Sequence, residues 1–433
     1  MSENSALIEK IAVITVYSGI FAFLFLSNLA SDTDYPYHLH HCWVVSQGYL
    51  TFNPYLNGGS SLTLAYGGPA YLMGGLLYPL LERYTVAALM VVGFLLLWWG
   101  SNRFFRELTE KHRLATLLVL LNPLTLLYFL TVKLPFLWGA AFSLFSLSSY
   151  LRGERGRAVL MGVLGALTHP LSIALLAAIL LVRFEPKRWM FSFLPVYTVA
   201  LSLDLALMGM RSLLPPAYIL APFSVCLLLG SLLLLLVLEP NARIPCMLAF
   251  AVTALALLAH FPDTRYFERL GWFVLLVSTP VMVEKIRLAR LGALLPPALL
   301  FLAAVPISWS LARERWDNPL LYENISTDNL LLSELQKGYV RYSGDGSAIY
   351  FLPMAGVRFT NSGFSPLELE LQFKLENMPE GFLEQLRKEN ASFLLIYPES
   401  PEENYARLLG FPLIYERENL KIYRITPGTG PQV

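Results

Sequence analysis

Nine apolar stretches dominate this chain of 433 residues and constrain its fold more than any other feature. A helix that crosses a bilayer needs roughly 20 apolar residues, with about 17 to 25 as the usual range. Charged residues make up only 15% of the chain, against about 25% in soluble globular proteins. The sequence therefore predicts an α-helical polytopic membrane protein with about nine full spans, at 8–30, 85–102, 114–131, 134–151, 190–209, 217–238, 244–259, 267–284 and 290–311.

Two further apolar segments are interrupted. Gly and Pro punctuate 64–81, and Thr168-His169-Pro170 divides 158–182 into two short runs. Neither has an unbroken apolar run long enough for a regular spanning helix. We expect 64–81 to be re-entrant or peripheral and 158–182 to be a shallow hairpin.

The basic residues favour one orientation in the plasma membrane. With the N-terminus in the cytoplasm and 8–30 retained as the first span, fifteen Lys and Arg residues fall in cytoplasmic loops and five in outer loops. Cytoplasmic loops of membrane proteins are enriched in positive charge, so this orientation is the favoured one. It places the first outer loop, 31–63, and the C-terminal segment on the outer face.

The chain divides into two predicted domains. Residues 1–312 form the transmembrane domain, and 313–433 read as a small extracytoplasmic α/β domain. Runs of β-branched and aromatic residues bounded by Gly, Pro and Asn predict strands. The expected order is three short strands (338–344, 347–353 and 356–361), then helix, strand, helix and two strands between 379 and 425.

An acidic, histidine-rich sequence, SDTDYPYHLHHCW, follows the first span directly. Asp32 and Asp34 are candidates for a general base or, with His38, for ligands of a divalent cation. The alternative for the acidic end is a helix cap formed by Ser31 or Asp32. On a helix His38 lies one turn after Asp34, where it could bind metal or phosphate. His40 and His41 are weaker candidates for the same role, and alternatively all three histidines are interfacial polar residues without a ligand.

Three cations and one acid later in the chain are candidates for binding the substrate or its lipid phosphate. Arg265 and Arg269 lie in a predicted outer loop, and Lys133 lies in a very short one. Arginine suits bidentate binding of phosphate, although these arginines could instead pair with nearby acids and Lys133 could snorkel to the interface. Asp204 lies inside a predicted span, where an acid faces either a cavity or a partner such as Arg211.

Polar and glycine-rich positions complete the candidate site. Asn57-Gly58-Gly59 and the sequence from Tyr66 to Pro69 allow the backbone to approach a ligand closely, or form a plain turn. His169 stands at the tip of the expected hairpin, where it faces the cavity floor or satisfies backbone groups freed by Pro170.

The order of these motifs resembles the GT-C superfamily of membrane glycosyltransferases. The similarity is greatest to the prokaryotic membrane proteins labelled 6-pyruvoyl-tetrahydropterin synthase-related, although nothing in the chain resembles a soluble pterin enzyme. The resemblance covers most of the membrane part. It rests on Asp32, Asp34 and His38, then Asn57-Gly58-Gly59, then Tyr66-Gly67-Gly68-Pro69, the LTHP sequence at His169 and the PDTRYFERLGW loop.

The resemblance implies transfer of a sugar from a polyprenyl-phosphate donor to a glycan, lipid or protein acceptor on the outer face. Asp32, slightly ahead of Asp34, would act as base, and an arginine would hold the lipid phosphate. Some members of the superfamily use a divalent cation such as Mg or Mn and others need none, so both remain open.

Two other classes of protein are compatible with the membrane part. A lipid or polysaccharide transporter would show broken helices in matching positions of two halves, whereas 64–81 and 158–182 both lie in the first half. A non-catalytic membrane scaffold is the third possibility. The sequence contains no Walker A loop, dinucleotide fingerprint, G-x-S-x-G or H-E-x-x-H motif, and its net charge of +1 gives no reason to expect nucleic acid as a partner.

Overall fold

The computed structural model describes about half of the chain. The predicted spans 190–209, 217–238, 244–259 and 290–311 lie outside the described residues, as does the predicted domain boundary at 312. The described residues are 13–22, 34–59, 61–63, 67–169, 272, 276, 279, 283, 328–343, 351–360, 379–396, 401–417 and 420–425.

The described membrane part is helical. Two of its stretches, Gly68–Arg106 and Leu134–Leu151, are helical, long and apolar enough to cross a bilayer. They include the spans predicted at 85–102 and 134–151. The helices are α1 (Val13–Ala22), α2 (Tyr35–Ser46), α3 (Gly68–Leu81), α4 (Thr85–Arg106), α5 (His112–Leu120), α6 (Pro123–Leu130), α7 (Leu134–Leu151) and α8 (Arg155–Thr168).

The span predicted at 114–131 is two helices rather than one. The chain leaves the helical conformation at Leu121 and Asn122, and α6 begins at Pro123. Proline disfavours a helical conformation in the residue before it and lacks the N–H that would continue the helix, which explains the break.

Four isolated positions, 272, 276, 279 and 283, are helical, and two of them contact the region of α5 and α6. The indole N–H of Trp272 donates to Thr125 Oγ1 at 2.7 Å, and Lys111 Nζ donates to the Val283 carbonyl at 3.3 Å. Residue 272 therefore lies beside the first turn of α6, and residue 283 lies beside the residue that precedes α5. This arrangement agrees with the predicted span at 267–284 at the four positions that the structure describes.

Helix α3 packs closely on α2, which follows the first span. A Cβ added at Gly75 would collide with the Val45 side chain, so glycine permits the close approach of the two helices. With 14 residues, α3 is about 21 Å long and shorter than the roughly 30 Å hydrocarbon core. A short 3-10 turn, Glu82–Tyr84, joins it to α4.

The C-terminal part forms a mixed five-stranded sheet. Its strands are β3 (Tyr339–Ser343), β4 (Arg358–Phe359), β5 (Ala391–Ile396), β6 (Leu413–Arg417) and β7 (Leu420–Arg424). Their order in the sheet is β4-β3-β5-β7-β6; β3 is parallel to β4 and β5, whereas β7 is antiparallel to β5 and β6. A separate hairpin, β1 (Phe52–Asn53) with β2 (Ser61–Leu62), lies in the first outer loop. The α-helices of the C-terminal part are α9 (Asn329–Leu335), α10 (Pro379–Lys388) and α11 (Pro401–Leu408).

Both faces of this sheet are covered. Along β5, Phe393 and Leu395 join one apolar cluster, while Leu394 and Ile396 join the other with α10 and α11. Burial on both faces explains why the β5 sequence is almost continuously apolar. The strand predicted at 347–353 is wrong at its described end, where a 3-10 helix, Leu352–Ala355, has the helix-compatible residue Pro353 in its first turn.

The sheet domain is in direct contact with the loop 31–63, which the sequence predicts to be the first outer loop. Leu56 of the loop is buried in the apolar cluster under β3 and β5. The Phe359 N–H donates to the Tyr55 carbonyl at 2.8 Å, and Tyr78 of α3 donates its hydroxyl to the Met354 sulfur at 3.8 Å. The domain thus rests against the loop that carries α2.

Candidate functional site

Asp34 immediately precedes α2 and directs its carboxylate to another part of the chain. It occupies the cap position, but its side chain makes no capping hydrogen bond. Lys133 Nζ instead donates to Asp34 Oδ2 at 2.7 Å across a separation of 99 residues. Two residues that were singled out separately in the sequence therefore form one partly exposed ion pair.

Lys133 lies in a tight turn between α6 and α7. Its N–H donates to the Tyr128 carbonyl at 2.9 Å, and the Val132 N–H donates to the Phe129 carbonyl at 3.2 Å. Val132 has φ of +58°, a left-handed conformation that is unusual for a β-branched residue. The Lys133 backbone is thus fixed at the start of α7, and its side chain turns to Asp34 instead of snorkelling along the interface.

The ion pair lies where two helices begin. Asp34 stands at the N-terminus of α2 and Lys133 at the N-terminus of α7. Helix N-termini carry partial positive charge and unpaired N–H groups, which favour anions. A lysine placed there adds a full charge of the same sign, and in the structure the anion that it holds is the Asp34 carboxylate.

His38 is buried behind the ion pair. Its Nε2 lies 3.0 Å from the Val132 carbonyl, and its Nδ1 lies 2.8 Å from the Tyr71 hydroxyl. Burial lowers the pKa of His38 to about 4; the Asp34 charge opposes this shift and the Lys133 charge adds to it. The ring is therefore neutral at physiological pH. Sequence reasoning missed Tyr71, whose only signal was its place directly after the Gly67-Gly68-Pro69 sequence, in the first turn of α3.

His40 and His41 are also buried. His41 stacks on the Tyr71 ring, with 4.9 Å between centroids, and burial lowers the pKa of His41. Asn53 Nδ2 donates to His40 Nε2 at 2.8 Å. These contacts make both histidines parts of the packing between α2, α3 and the hairpin, and not polar residues of an exposed interface.

The structure brings His169 to the same end of α7. Its ring packs edge-on against Phe136, with 5.4 Å between centroids. The preceding residue, Thr168, accepts a hydrogen bond at 2.9 Å from the N–H of Gly67. Gly67 has φ of +83°, which glycine adopts at little cost. The two interrupted apolar segments thus meet beside the Lys133 turn.

Several candidates cannot be placed. Asp32, Tyr66, Asp204, Arg265 and Arg269 lie outside the described residues. Asn57 begins a 3-10 turn, Asn57–Gly59, at the tip of the β1–β2 hairpin, and only its backbone is described.

The described residues do not by themselves fit a divalent cation. Within these ranges no group of three His, Cys, Asp or Glu side chains is suitably placed to hold a metal. Both ring nitrogens of His38 already have hydrogen-bond partners, and Asp34 holds Lys133. A metal bound to His38 and Asp34 would have to displace these partners.

Comparison with solved structures gives a likeness that extends over the whole chain. The fold is similar to the crystal structure of ArnT from Cupriavidus metallidurans bound to undecaprenyl phosphate, with a TM-score of 0.50, 11% sequence identity and 100% of both chains covered. At this identity the likeness shows a similar fold alone, and no residue correspondence follows from it. Neither the protein-family models nor the curated proteins give a match.

Proposed function

We propose that this chain is an integral membrane glycosyltransferase that takes its sugar from a polyprenyl-phosphate donor at the outer face of the plasma membrane. Asp34 is the general base, and Lys133 binds the lipid phosphate. The observation that carries this proposal is the Asp34–Lys133 pair, which joins a carboxylate and an ammonium at two helix N-termini. The fold shared with a protein that was crystallised with undecaprenyl phosphate supports it.

The two side chains supply the two halves of an inverting sugar transfer. Asp34 accepts the proton of an acceptor hydroxyl while that oxygen bonds to the anomeric carbon of the sugar. The bond from that carbon to the phosphate oxygen breaks, and its electron pair leaves with the polyprenyl phosphate. Lys133 stabilises the negative charge that grows on this leaving group.

Donor binding and base activation are linked through the ion pair. In the resting structure Lys133 neutralises Asp34. A donor phosphate competes for the same ammonium group, and as it draws Lys133 away the carboxylate becomes available to accept a proton. The site would therefore generate its base only when the donor is present.

An apolar surface beside the site suits the polyprenyl chain. Leu72, Leu76 and Leu80 of α3 are exposed at spacings of four residues, and the last two are 80% exposed. Residues spaced in this way share one face of a helix. The same helix carries Tyr71, which contacts His38, so a lipid lying along α3 would bring its phosphate towards the ion pair.

The remaining candidates have supporting roles in the proposal. Arg265 and Arg269 would bind the phosphate together with Lys133, and Asp32 is the alternative base. His169, Asp204, Asn57 and Tyr66 would line the substrate site. Of the predicted Mg or Mn ligands, Asp32 and Asp34 stay candidates, whereas both ring nitrogens of His38 have protein partners. No step is assigned to the ion.

Sugar transfer in isolated membranes tests the proposal. We would supply a panel of radiolabelled polyprenyl-phosphate sugars to the wild type and to Asp34→Asn, Asp32→Asn and Glu154→Gln. Glu154 is the matched control, because it is a similarly exposed carboxylate paired with Arg103 at a distant loop. Transfer that is lost in Asp34→Asn and kept in Glu154→Gln is the expected result. If the wild type transfers sugar from none of the donors, or if all four proteins transfer it at equal rates, the proposal is contradicted.

A further inference from the structure

We propose that His38 is a positioning residue that holds the Lys133 turn in place, and that it contacts neither the phosphate nor a metal. This inference rests on the proposed function, in which Lys133 binds the lipid phosphate. It assigns to His38 an action through the Val132 backbone, where the sequence had suggested direct ligand binding.

The hydrogen bonds determine the tautomer of His38. A carbonyl oxygen can only accept, so His38 Nε2 must carry the proton that it donates to Val132 at 3.0 Å. The ring is neutral, so Nδ1 is the acceptor and the Tyr71 hydroxyl donates to it at 2.8 Å. Both nitrogens are thereby used inside the protein, and the ring is 1% exposed.

The carbonyl that His38 binds belongs to the strained residue of the turn. Val132 has φ of +58°, and such a conformation persists in a β-branched residue only where the surroundings enforce it. The same carbonyl also accepts the Leu134 N–H at 2.8 Å. His38 therefore anchors the peptide that immediately precedes Lys133 and from which α7 starts.

Three successive residues of the turn are tied to the beginning of α2. The Thr131 carbonyl accepts from the Asp34 N–H at 3.4 Å, the Val132 carbonyl accepts from His38, and Lys133 donates to the Asp34 carboxylate. The ion pair is the tie that a phosphate would exchange. The His38 bond stays in place and keeps the ammonium within reach of both anions.

A double-mutant cycle on transfer tests this role. His38→Phe removes the bond to Val132, whereas His38→Gln supplies an amide N–H that can replace Nε2. We expect His38→Phe to raise the KM for the donor by about 10- to 100-fold, because small misplacement of a binding group is costly, and His38→Gln to recover most of this loss. In a Lys133→Met background, His38→Phe should change little, since the residue acts through Lys133. An equal effect in both backgrounds, or failure of a folded His38→Gln variant to recover the loss, would overturn the role.

A readout without transfer separates this inference from the proposed function. Nitrogen-15 NMR of histidine-labelled, detergent-solubilised wild type distinguishes a protonated from an unprotonated ring nitrogen, and His38→Gln identifies the signal. We expect a protonated Nε2 and an unprotonated Nδ1 at pH 7. An unprotonated Nε2 would refute the His38–Val132 bond whether or not any donor supports transfer, and a doubly protonated ring would refute the assignment of Nδ1 as the acceptor from Tyr71.

Discussion

Two ion pairs of this molecule have the same length and different surroundings. Lys133 Nζ to Asp34 Oδ2 and Arg341 Nη1 to Glu389 Oε1 are both 2.7 Å. In the sheet domain the two side chains are 6% and 14% exposed, whereas in the membrane part Lys133 is 16% and Asp34 is 33% exposed. Glu389 is also held by Gln385 at Oε1 and by Thr360 at Oε2.

The difference shows which pair can change partners. Removing one member of a buried pair leaves the other charge unpaired and destabilises the fold, and Glu389 has protein donors on both oxygens. A partly exposed pair contributes little to stability, so its members can exchange for a ligand at low cost. The Arg341–Glu389 pair is thus expected to stabilise the domain, and the Asp34–Lys133 pair to act on substrate.

The largest effect on transfer is expected from Asp34→Asn. Loss of a general base lowers the rate by about 100- to 10,000-fold, whereas the fold should remain intact because the pair is partly exposed. Glu154→Gln, whose carboxylate is 32% exposed and whose partner Arg103 is 20% exposed, should keep the wild-type rate. Initial rates in membranes, normalised to folded protein, measure the effects of Asp34→Asn and Glu154→Gln. A similar loss of rate in the two variants would contradict the role of Asp34 as general base.

Lys133→Met should have the next largest effect. It removes a charge-assisted contact to phosphate and keeps an apolar chain of similar length, so the KM for the donor should rise by about 10- to 100-fold. Donor titrations at saturating acceptor measure this. An unchanged KM with a lower kcat would show that Lys133 serves Asp34 and not the donor.

Glu389→Gln should leave transfer per folded molecule unchanged and reduce stability. Arg341 would be left as a buried, unpaired cation, at a cost of about 3 to 5 kcal/mol. Thermal unfolding in detergent, followed in parallel with the transfer rate, measures both quantities. A kinetic defect without loss of stability would remove the distinction between the two pairs.

The smallest effect concerns the pH dependence of stability. The folded-state pKa of His38 is about 4, below its ordinary value of 6.5, so the unfolded chain binds more protons between these values. The contribution of a neutral His38 is complete above pH 6.5 and is lost as the pH falls towards 4. His38→Gln should therefore lose less melting temperature than the wild type between pH 7.5 and 4.5. Equal losses would place the ring in a different environment.

The sequence points to Asp34, Lys133 and His38 as candidates and carries no sign of the contacts among them. Asp34 stood out because it follows an apolar span, and Lys133 because it lies in a short outer loop. Their pairing joins segments 99 residues apart, and no local pattern encodes it. The sequence predicts that His38 binds a metal or a phosphate, whereas in the structure it contacts the carbonyl of Val132. Val132 is β-branched, and its left-handed backbone conformation is one that such residues rarely adopt.

Secondary structure could be predicted from the sequence where local signals determine it. The strand β5 and the helices α10 and α11 were predicted well, because apolar periodicity and turn residues act locally. Two elements differed where proline decided the local conformation: the break before Pro123 in the predicted span 114–131, and the 3-10 turn at Pro353 in a predicted strand. Local signals sufficed where packing and propensity agreed.

Binding of undecaprenyl phosphate to the purified wild type, Lys133→Met and Asp34→Asn is the most direct test of the account. In this account the phosphate and the Asp34 carboxylate compete for the Lys133 ammonium group. Removal of the two side chains should therefore have opposite effects: Lys133→Met weakens phosphate binding, and Asp34→Asn tightens it by releasing Lys133. A purely structural pair would give changes of the same sign, or none. Titration by native mass spectrometry would measure this; weaker binding in both variants, or unchanged binding in Lys133→Met, would contradict the account.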